Sequence, residues 1–391
     1  MAAVFSGAGS GVMPADDITG RSNRTVRSSC LSILDAAYRL LSSGQVGAGM
    51  ELLMGRLTEL RKGHDADEWE ALFQTEAIGH PITRLIFQDP FTDHSFRKPR
   101  GYPGDAALLD FIYGFTPMPP GTSAMGTAVF EFNRERQAPR SVRSRAEILA
   151  REIDETAAQT ESPRILSIAC GHLREAGLSK AVMEGRIGEF IALDQDPLSL
   201  AEVERAYASR GVRTVQESVR AILAGKARFT GLNLVYAAGL YDYLSERVAA
   251  RLTRLMFDML APGGRLLIAN FAPCLNDIGY IESYMGWKLI YREPQEMIAL
   301  ARDIASSEWK SHRLFWDEHE SIVFLEIIKR RQINVPVTLS PGLKGVVVPG
   351  LNNLTIAPGI VTGWQRGRTR SRGKGHGKAN GDGGSNGAAV A

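Results

Sequence analysis

Cysteine is scarce in this chain, and its three copies, Cys30, Cys170 and Cys274, lie far apart. An odd number at such wide spacing excludes a disulfide framework and offers no zinc cluster. Long apolar runs are missing too. Nothing approaches the roughly 18 consecutive apolar residues of a membrane-crossing helix, and the N-terminus lacks the basic-then-apolar order of a secretory leader, so a soluble cytoplasmic protein is expected. Charge of one sign is also lacking: the net formal charge is only +3. The excess sits in the tail, because residues 366–391 hold six Lys and Arg against Asp382 alone, which leaves the remainder slightly acidic. Nucleic acid is therefore not expected as a partner of the folded part. No internal repeat is evident.

What the chain does contain is enough apolar residue, 44% of its 391 positions, for one large core and a smaller one. Its most informative stretch runs from Arg164 to Asp196. Ile165 to Ala169 is a short apolar run, Gly171 stands where the backbone must turn, and Leu173 to Glu184 has helical composition. Phe190 to Leu193 is a second apolar run that delivers Asp194 to a strand end. A turn without bulky side chains lets a nucleoside cofactor approach the backbone, and a carboxylate about 20 residues on accepts hydrogen bonds from both ribose hydroxyls. The glycine pattern is degenerate, with Ala169, Gly171 and Leu173 where a dinucleotide site needs small residues. An ordinary strand-helix-strand turn is the competing reading.

The alternation continues downstream. Asp196 and Pro197 open a helix from Leu198 to about Ser209, and Val212 to Val215 is a third strand. Leu232 to Ala237 is a fourth. Ser245 begins a helix expected to reach Leu260, Pro262-Gly263-Gly264 is read as its break, and Leu266 to Phe271 is a fifth strand. His312 to Trp316 and Ser321 to Lys329, joined through Asp317-Glu318, form an antiparallel pair. Parallel βα units closed by an antiparallel edge pair describe a Rossmann-like α/β sheet of the class I methyltransferase kind, for which the expected cofactor is S-adenosylmethionine.

Four motifs sharpen this: KPRGYPGDAALLDFIYG (Lys98 to Gly114), SIACGHLRE (Ser167 to Glu175), YAAGLYDYLS (Tyr236 to Ser245), and NFAP followed by IESYMGWKLIYRE (Asn270 to Pro273, Ile281 to Glu293). With them the chain, over residues 78–330, resembles the bacterial class I methyltransferases of 3-hydroxypalmitic acid methyl ester biosynthesis, an extracellular factor. In that family a CG-x-x-RE turn replaces the glycine triplet. The resemblance implies methyl transfer to a carboxylate, giving a methyl ester of a hydroxy-fatty-acid-like small molecule.

Residues 1–24 are small and polar and are expected to be disordered. Residues 25–150 show helical spacing, through Leu31, Leu34, Ala37 and Leu41 and again through Leu53, Leu57 and Leu60, and are read as a helical cap and lid over a methyltransferase domain at 151–332. Residues 333–391 are Gly- and Pro-rich and then basic, expected to be a disordered tail, with weak contact to nucleic acid or anionic membrane as the alternative. The oligomeric state is left open.

Within the expected site, Ser167, Ala169, Cys170, Gly171 and Glu175 line the methionine end of the cofactor. Asp194, with Gln195 beside it and Asp196 as a competitor, takes the ribose. Glu217 and Ser218 follow the third strand, where adenine is held, or they merely cap the next helix. Ala237, Ala238 and Gly239 leave room for the sulfonium. A carboxylate acceptor is already ionised and needs no base, whereas a hydroxyl or amine does. Asp242 and Tyr243 are the candidate bases. Arg100 is the candidate clamp for an acceptor carboxylate, with Lys98 or Arg292 assisting, and a salt bridge to Asp105 is its structural alternative. Tyr102, Asp105 and Tyr113 are read as lid residues or as a structural turn. Trp287, Tyr291 and Arg292 form an aromatic and cationic wall or plain core. Of the basic cluster Arg134, Arg136, Arg140, Arg143 and Arg145, mostly a solvated helix face, Arg143 is kept as a contact to the cofactor carboxylate. The alternatives to this activity are O- or N-methylation of a natural-product intermediate, or a non-catalytic cofactor- or RNA-binding protein.

Overall fold

A computed structural model describes residues 15–331. Eight helices come first: α1 (Ala15–Ser42), α2 (Val46–Lys62), α3 (Ala66–Glu76), α4 (Ile82–Ile86), α5 (Pro90–Arg97), α6 (Ala106–Tyr113), α7 (Ala124–Arg134) and α8 (Gln137–Gln159). Their starts are written locally. Asp65, Asp89, Asp105 and Ser123 each accept backbone N–H groups at the start of a helix, satisfying donors that have no intrahelical partner. The first helix begins at Ala15, inside the segment expected to lack structure, and α8 runs across the boundary expected at 150.

The sheet follows, with β1 (Arg164–Ile168), α9 (Arg174–Leu178), α10 (Lys180–Met183), β2 (Glu189–Asp194), α11 (Pro197–Tyr207), β3 (Val212–Gln216), α12 (Val219–Leu223), β4 (Leu232–Ala237), α13 (Glu246–Asp258), β5 (Leu260–Phe271), α14 (Ile278–Tyr284), α15 (Pro294–Ala299), β6 (Trp309–Trp316) and β7 (Ile322–Lys329). Its seven strands are ordered β3-β2-β1-β4-β5-β7-β6. The first five are parallel, and β7 inserts antiparallel between β5 and β6. This is a Rossmann-like α/β sheet with helices N-terminal to it, as the alternation implied. The chain order reverses at β1, between β2 and β4, so their carboxyl ends open a crevice there.

Strand side chains alternate between two cores. Ile165, Phe190 and Ala192 join Leu34, Leu53 and Ile86 of the N-terminal helices in one continuous apolar cluster, while Leu166, Ile191 and Leu193 face the other side with Leu252, Phe257 and Ile304. The N-terminal helices therefore share a core with the sheet and fix the roof of the crevice by packing.

Two expected elements are corrected. The helix expected from Leu173 to Glu184 is broken at Ser179, whose hydroxyl accepts the Val182 N–H and donates to Asp154, restarting the chain as α10. The helix expected to reach Leu260 stops at Asp258, and Pro262-Gly263-Gly264 lies inside β5 as an irregularity of the pairing with β4. There Gly263 has φ +84°, and a Cβ on Gly264 would stand 2.5 Å from the Leu232 carbonyl oxygen. The tail expected at 333–391 lies outside the described residues.

Candidate active site

The turn after β1 is left-handed at every second residue: Ala169 has φ 53°, Gly171 54° and Leu173 51°. Such values are uncommon outside glycine, and here packing holds them. A Cβ on Gly171 would meet Ala106 Cβ at 3.2 Å, so the start of α6 closes directly over the turn. The turn is pinned to β2 as well. The Cys170 N–H donates to the Leu193 carbonyl at 3.1 Å, and the Gly171 N–H donates to Asp194 Oδ2 at 2.8 Å across 23 residues.

Asp194 is 7% exposed and uses its other oxygen for the Asp196 N–H at 2.9 Å. Burial raises its pKa while these backbone donors oppose the rise. Each oxygen accepts one of these bonds and keeps a further lone pair, and the residue lines a cleft of about 1140 Å³, its open mouth included.

The cleft brings together many of the expected residues. Tyr102, Tyr113, Ser167, Ala169, Cys170, Gly171, Glu175, Asp194, Gln195, Glu217, Gly239 and Tyr243 all line it. Glu175 is buried and accepts from the Tyr236 hydroxyl at 2.7 Å, and burial pushes its pKa up. The Glu217 N–H donates to the Asp194 carbonyl at 3.0 Å, which places β3's end beside β2's. Tyr102 sits near Asp194, Asp105 and Asp196, and burial together with these charges raises its phenol pKa. Burial likewise holds the Cys170 thiol well above its ordinary range, which argues against a reactive thiolate.

Other expected residues lie elsewhere. Ser218 caps α12 by accepting the Ala221 N–H, and Ala237 is fully buried beneath Ala238. Asp105 is completely buried, caps α6 through the Leu108 N–H and pairs with His94 at 2.9 Å. Arg100 does not reach Asp105. Its Nη1 donates to Asp196 at 2.8 Å and Ser199 at 3.2 Å. Arg292 is buried on the Tyr241 and Leu244 carbonyls and on Asn270 Oδ1, so it braces the chain behind the site. The Tyr291 hydroxyl is buried with no partner among the described residues. Asp242 takes the Phe271 N–H at 2.7 Å, and burial pushes its pKa to about 6. Tyr243 accepts the Trp287 indole N–H at 2.6 Å.

Arg143 and Arg145 of the basic cluster lie on different faces of α8. Arg143 binds Glu135 and the Arg134 carbonyl away from the cleft, whereas Arg145, only 5% exposed, lines it and donates to the Ala238 carbonyl at 2.9 Å. A second network was not foreseen. Asp110 on α6 accepts from Arg174 at 2.7 Å and pairs with His172 Nδ1 at 2.9 Å, tying the roof to the turn after β1. Among the described residues no cluster of His, Cys, Asp or Glu could hold a metal, and no helix is long and apolar enough to cross a membrane.

No family model and no curated protein matches this chain. Solved structures do resemble it. A possible exported protein from Bordetella parapertussis aligns with a TM-score of 0.51 at 16% identity, over 69% of this chain and 98% of that one. The N-methyltransferase NodS of Bradyrhizobium japonicum with S-adenosyl-L-homocysteine aligns at 0.34 and 13% identity over 47% and 85% of the two chains. The magnesium protoporphyrin IX methyltransferase of Synechocystis with the same ligand aligns at 0.38 and 9% over 56% and 91%. The first likeness shows a shared fold. None of the three assigns an activity.

Proposed function

We propose that the protein is an S-adenosylmethionine-dependent methyltransferase acting on a small-molecule acceptor. The observation that carries this is Asp194: a carboxylate at the end of β2, oriented by two backbone N–H groups, with lone pairs left for a vicinal diol at the topological switch point of the sheet. The remaining residues fit the same ligand. Arg145 beside Gly239 suits the methionine carboxylate, since a Cβ on Gly239 would lie 3.6 Å from its guanidinium. Ala238 and Gly239 leave space for the sulfonium, and Glu217 stands on the adenine side.

When bound, the cofactor supplies an electrophilic methyl group on a good leaving group, so no protein acid is needed. The chain's own residues orient and exclude water. Tyr102, Gly104, Ala106, Leu109 and Tyr113 roof the cleft from the N-terminal side, and α6 is clamped down by Asp110 on Arg174. The finer reading, a hydroxy-fatty-acid carboxylate, loses its anchor at Arg100, which is engaged by Asp196 and Ser199. Asp242, next in sequence to Tyr243 of the cleft lining, is buried with its pKa raised to about 6, which suits it to take a proton from a hydroxyl acceptor.

Calorimetry with S-adenosylmethionine and with S-adenosylhomocysteine tests the cofactor reading directly. Saturable binding that Asp194→Ala weakens is expected; absence of binding to a folded wild-type protein would remove the proposal. Transfer of labelled methyl from the cofactor into a host metabolite extract then identifies the acceptor.

A further inference from the structure

Among the residues lining the cofactor cleft are the carboxylates Asp110, Glu175, Asp194 and Glu217. Three of them have a plain use or are solvated. Arg174 neutralises Asp110 at 2.7 Å, two backbone N–H groups hold Asp194, and Glu217 is exposed to water. Glu175 is different. It is 8% exposed, its Oε1 accepts the Tyr236 hydroxyl at 2.7 Å, and no Lys or Arg pairs with it among the described residues. Its Oε2 takes a bond from no other side chain, and the residue's remaining exposure is to the cleft that it lines.

The groups around Glu175 supply no counter-charge at contact. Tyr236 on β4, Cys170 in the turn, Tyr113 on α6 and Tyr207 on α11 all face it, and burial raises the pKa of each, so they stay uncharged. The remaining neighbour is Arg145 on α8, near enough to favour the ionised form but not paired with it, and burial outweighs that help and holds the Glu175 pKa up. A carboxylate in such a place costs the fold stability. A glutamine would accept the same Tyr236 hydroxyl with no charge to bury.

Arg145 is the converse case. It is 5% exposed, its Nη1 is on the Ala238 carbonyl, and no carboxylate pairs with it among the described residues. The cleft thus carries one buried anion and one buried cation that are close in space and not joined to each other. An α-amino acid brings the matching set, an ammonium and a carboxylate on one carbon.

We infer that Glu175 is the specificity residue at the inner end of the cleft: it takes the ammonium of the cofactor's methionine part while Arg145 takes the carboxylate, and nucleosides without that ammonium are discriminated against. The inference rests on the methyltransferase reading of the cleft.

The test is calorimetry on the full chain with two ligands, S-adenosylhomocysteine and its des-amino analogue, the thioether that keeps the carboxylate and lacks the ammonium. The wild type should prefer the first by about tenfold or more, the range of a charge-assisted hydrogen bond. Glu175→Gln keeps an acceptor for Tyr236 and removes the charge. It should bring the two ligands to within about threefold of each other by weakening S-adenosylhomocysteine alone, with the analogue held within about twofold of its wild-type affinity, which also certifies the fold. Glu175→Ala should give the same collapse, and takes over should Glu175→Gln prove unstable. Arg145→Ala should weaken both ligands alike and leave the preference in place, because both carry the carboxylate. Equal binding of the two ligands by the wild type, an unchanged preference in Glu175→Gln, or loss of both ligands together in that variant would each overturn the assignment. Failure of the wild type to bind S-adenosylhomocysteine at all is a separate result, and removes the cofactor reading on which the inference stands.

Discussion

Arg100, on the loop that follows α5, and Asp196, at the start of α11, are joined by a 2.8 Å ion pair that spans 96 residues of sequence. Both side chains are largely shielded, at 21% and 15% exposure; against the effect of burial, the Ser199 hydroxyl, the Leu198 N–H and then Arg100 hold the Asp196 pKa below its usual value. The roof of the cleft is thereby tied to the segment that follows the ribose-side carboxylate.

Breaking this tie should act on the cofactor. Arg100→Ala is expected to weaken S-adenosylmethionine binding several-fold, and Asp196→Asn should do the same. The double variant should be little worse than either single one, because both remove one interaction. Calorimetry on the four proteins measures this coupling. Additive losses would mean that the two residues act separately.

Asp194→Ala should reduce cofactor affinity by tenfold or so, the range for a charge-assisted hydrogen bond, since it also frees the Gly171 and Asp196 N–H groups that hold the turn. Asp194→Asn keeps one acceptor and should lose less. Equal losses in the two variants would show that charge, not the count of acceptors, governs the site.

Arg145→Lys should behave nearly as badly as Arg145→Ala, because a point charge cannot both hold the Ala238 carbonyl and present a planar fork to the cleft. Titration with S-adenosylmethionine against decarboxylated S-adenosylmethionine separates the effects. If Arg145 holds the carboxylate, the variants should lose affinity only for the first ligand.

Asp277 gives a pH signature independent of the ligand. It is fully buried and burial pushes its pKa to about 6, above the ordinary aspartate value in the unfolded chain. The folded protein then holds the proton more tightly, so its contribution to stability is complete below pH ~4 and is lost as pH rises toward ~6, by roughly 3 kcal/mol at most. Thermal melts should show wild type losing ground to Asp277→Asn across that window. A constant difference between the two would place the Asp277 pKa near its ordinary value.

Gly104→Ala tests how tightly the roof of the cleft is packed. The added methyl has nowhere to go against Trp287 and Tyr243, so the melting temperature should fall by several degrees and the tryptophan emission should shift. An unchanged protein would mean that Trp287 moves freely.

Much of the sheet was legible because strands announce themselves locally: Phe190 to Leu193 is apolar throughout and hands Asp194 to the strand end with no help from distant contacts. Pro262-Gly263-Gly264 is ambiguous in the sequence because the same residues that break a helix also fit a bulge, and only the closeness of the Leu232 carbonyl decides between them. Arg145 cannot be told from Arg143 in the sequence, because the cluster offers five similar side chains. Two positions along a helix are about 200° apart, so one faces the cleft and the other faces away. The partner of Arg100 was invisible for another reason: nothing near it in sequence marks Asp196, which only the packing of the N-terminal helices on the sheet brings close.

The turn at Ala169, Gly171 and Leu173 takes the same left-handed backbone at all three positions with a single glycine among them. Its shape is imposed by neighbours, chiefly Ala106 above and β2 beside it, so an alanine and a leucine are held in the backbone conformation that glycine adopts freely. Kinship among proteins built this way is better traced by the course of the backbone than by glycine spacing, and a lost glycine in a cousin of this chain is no sign of a lost ligand.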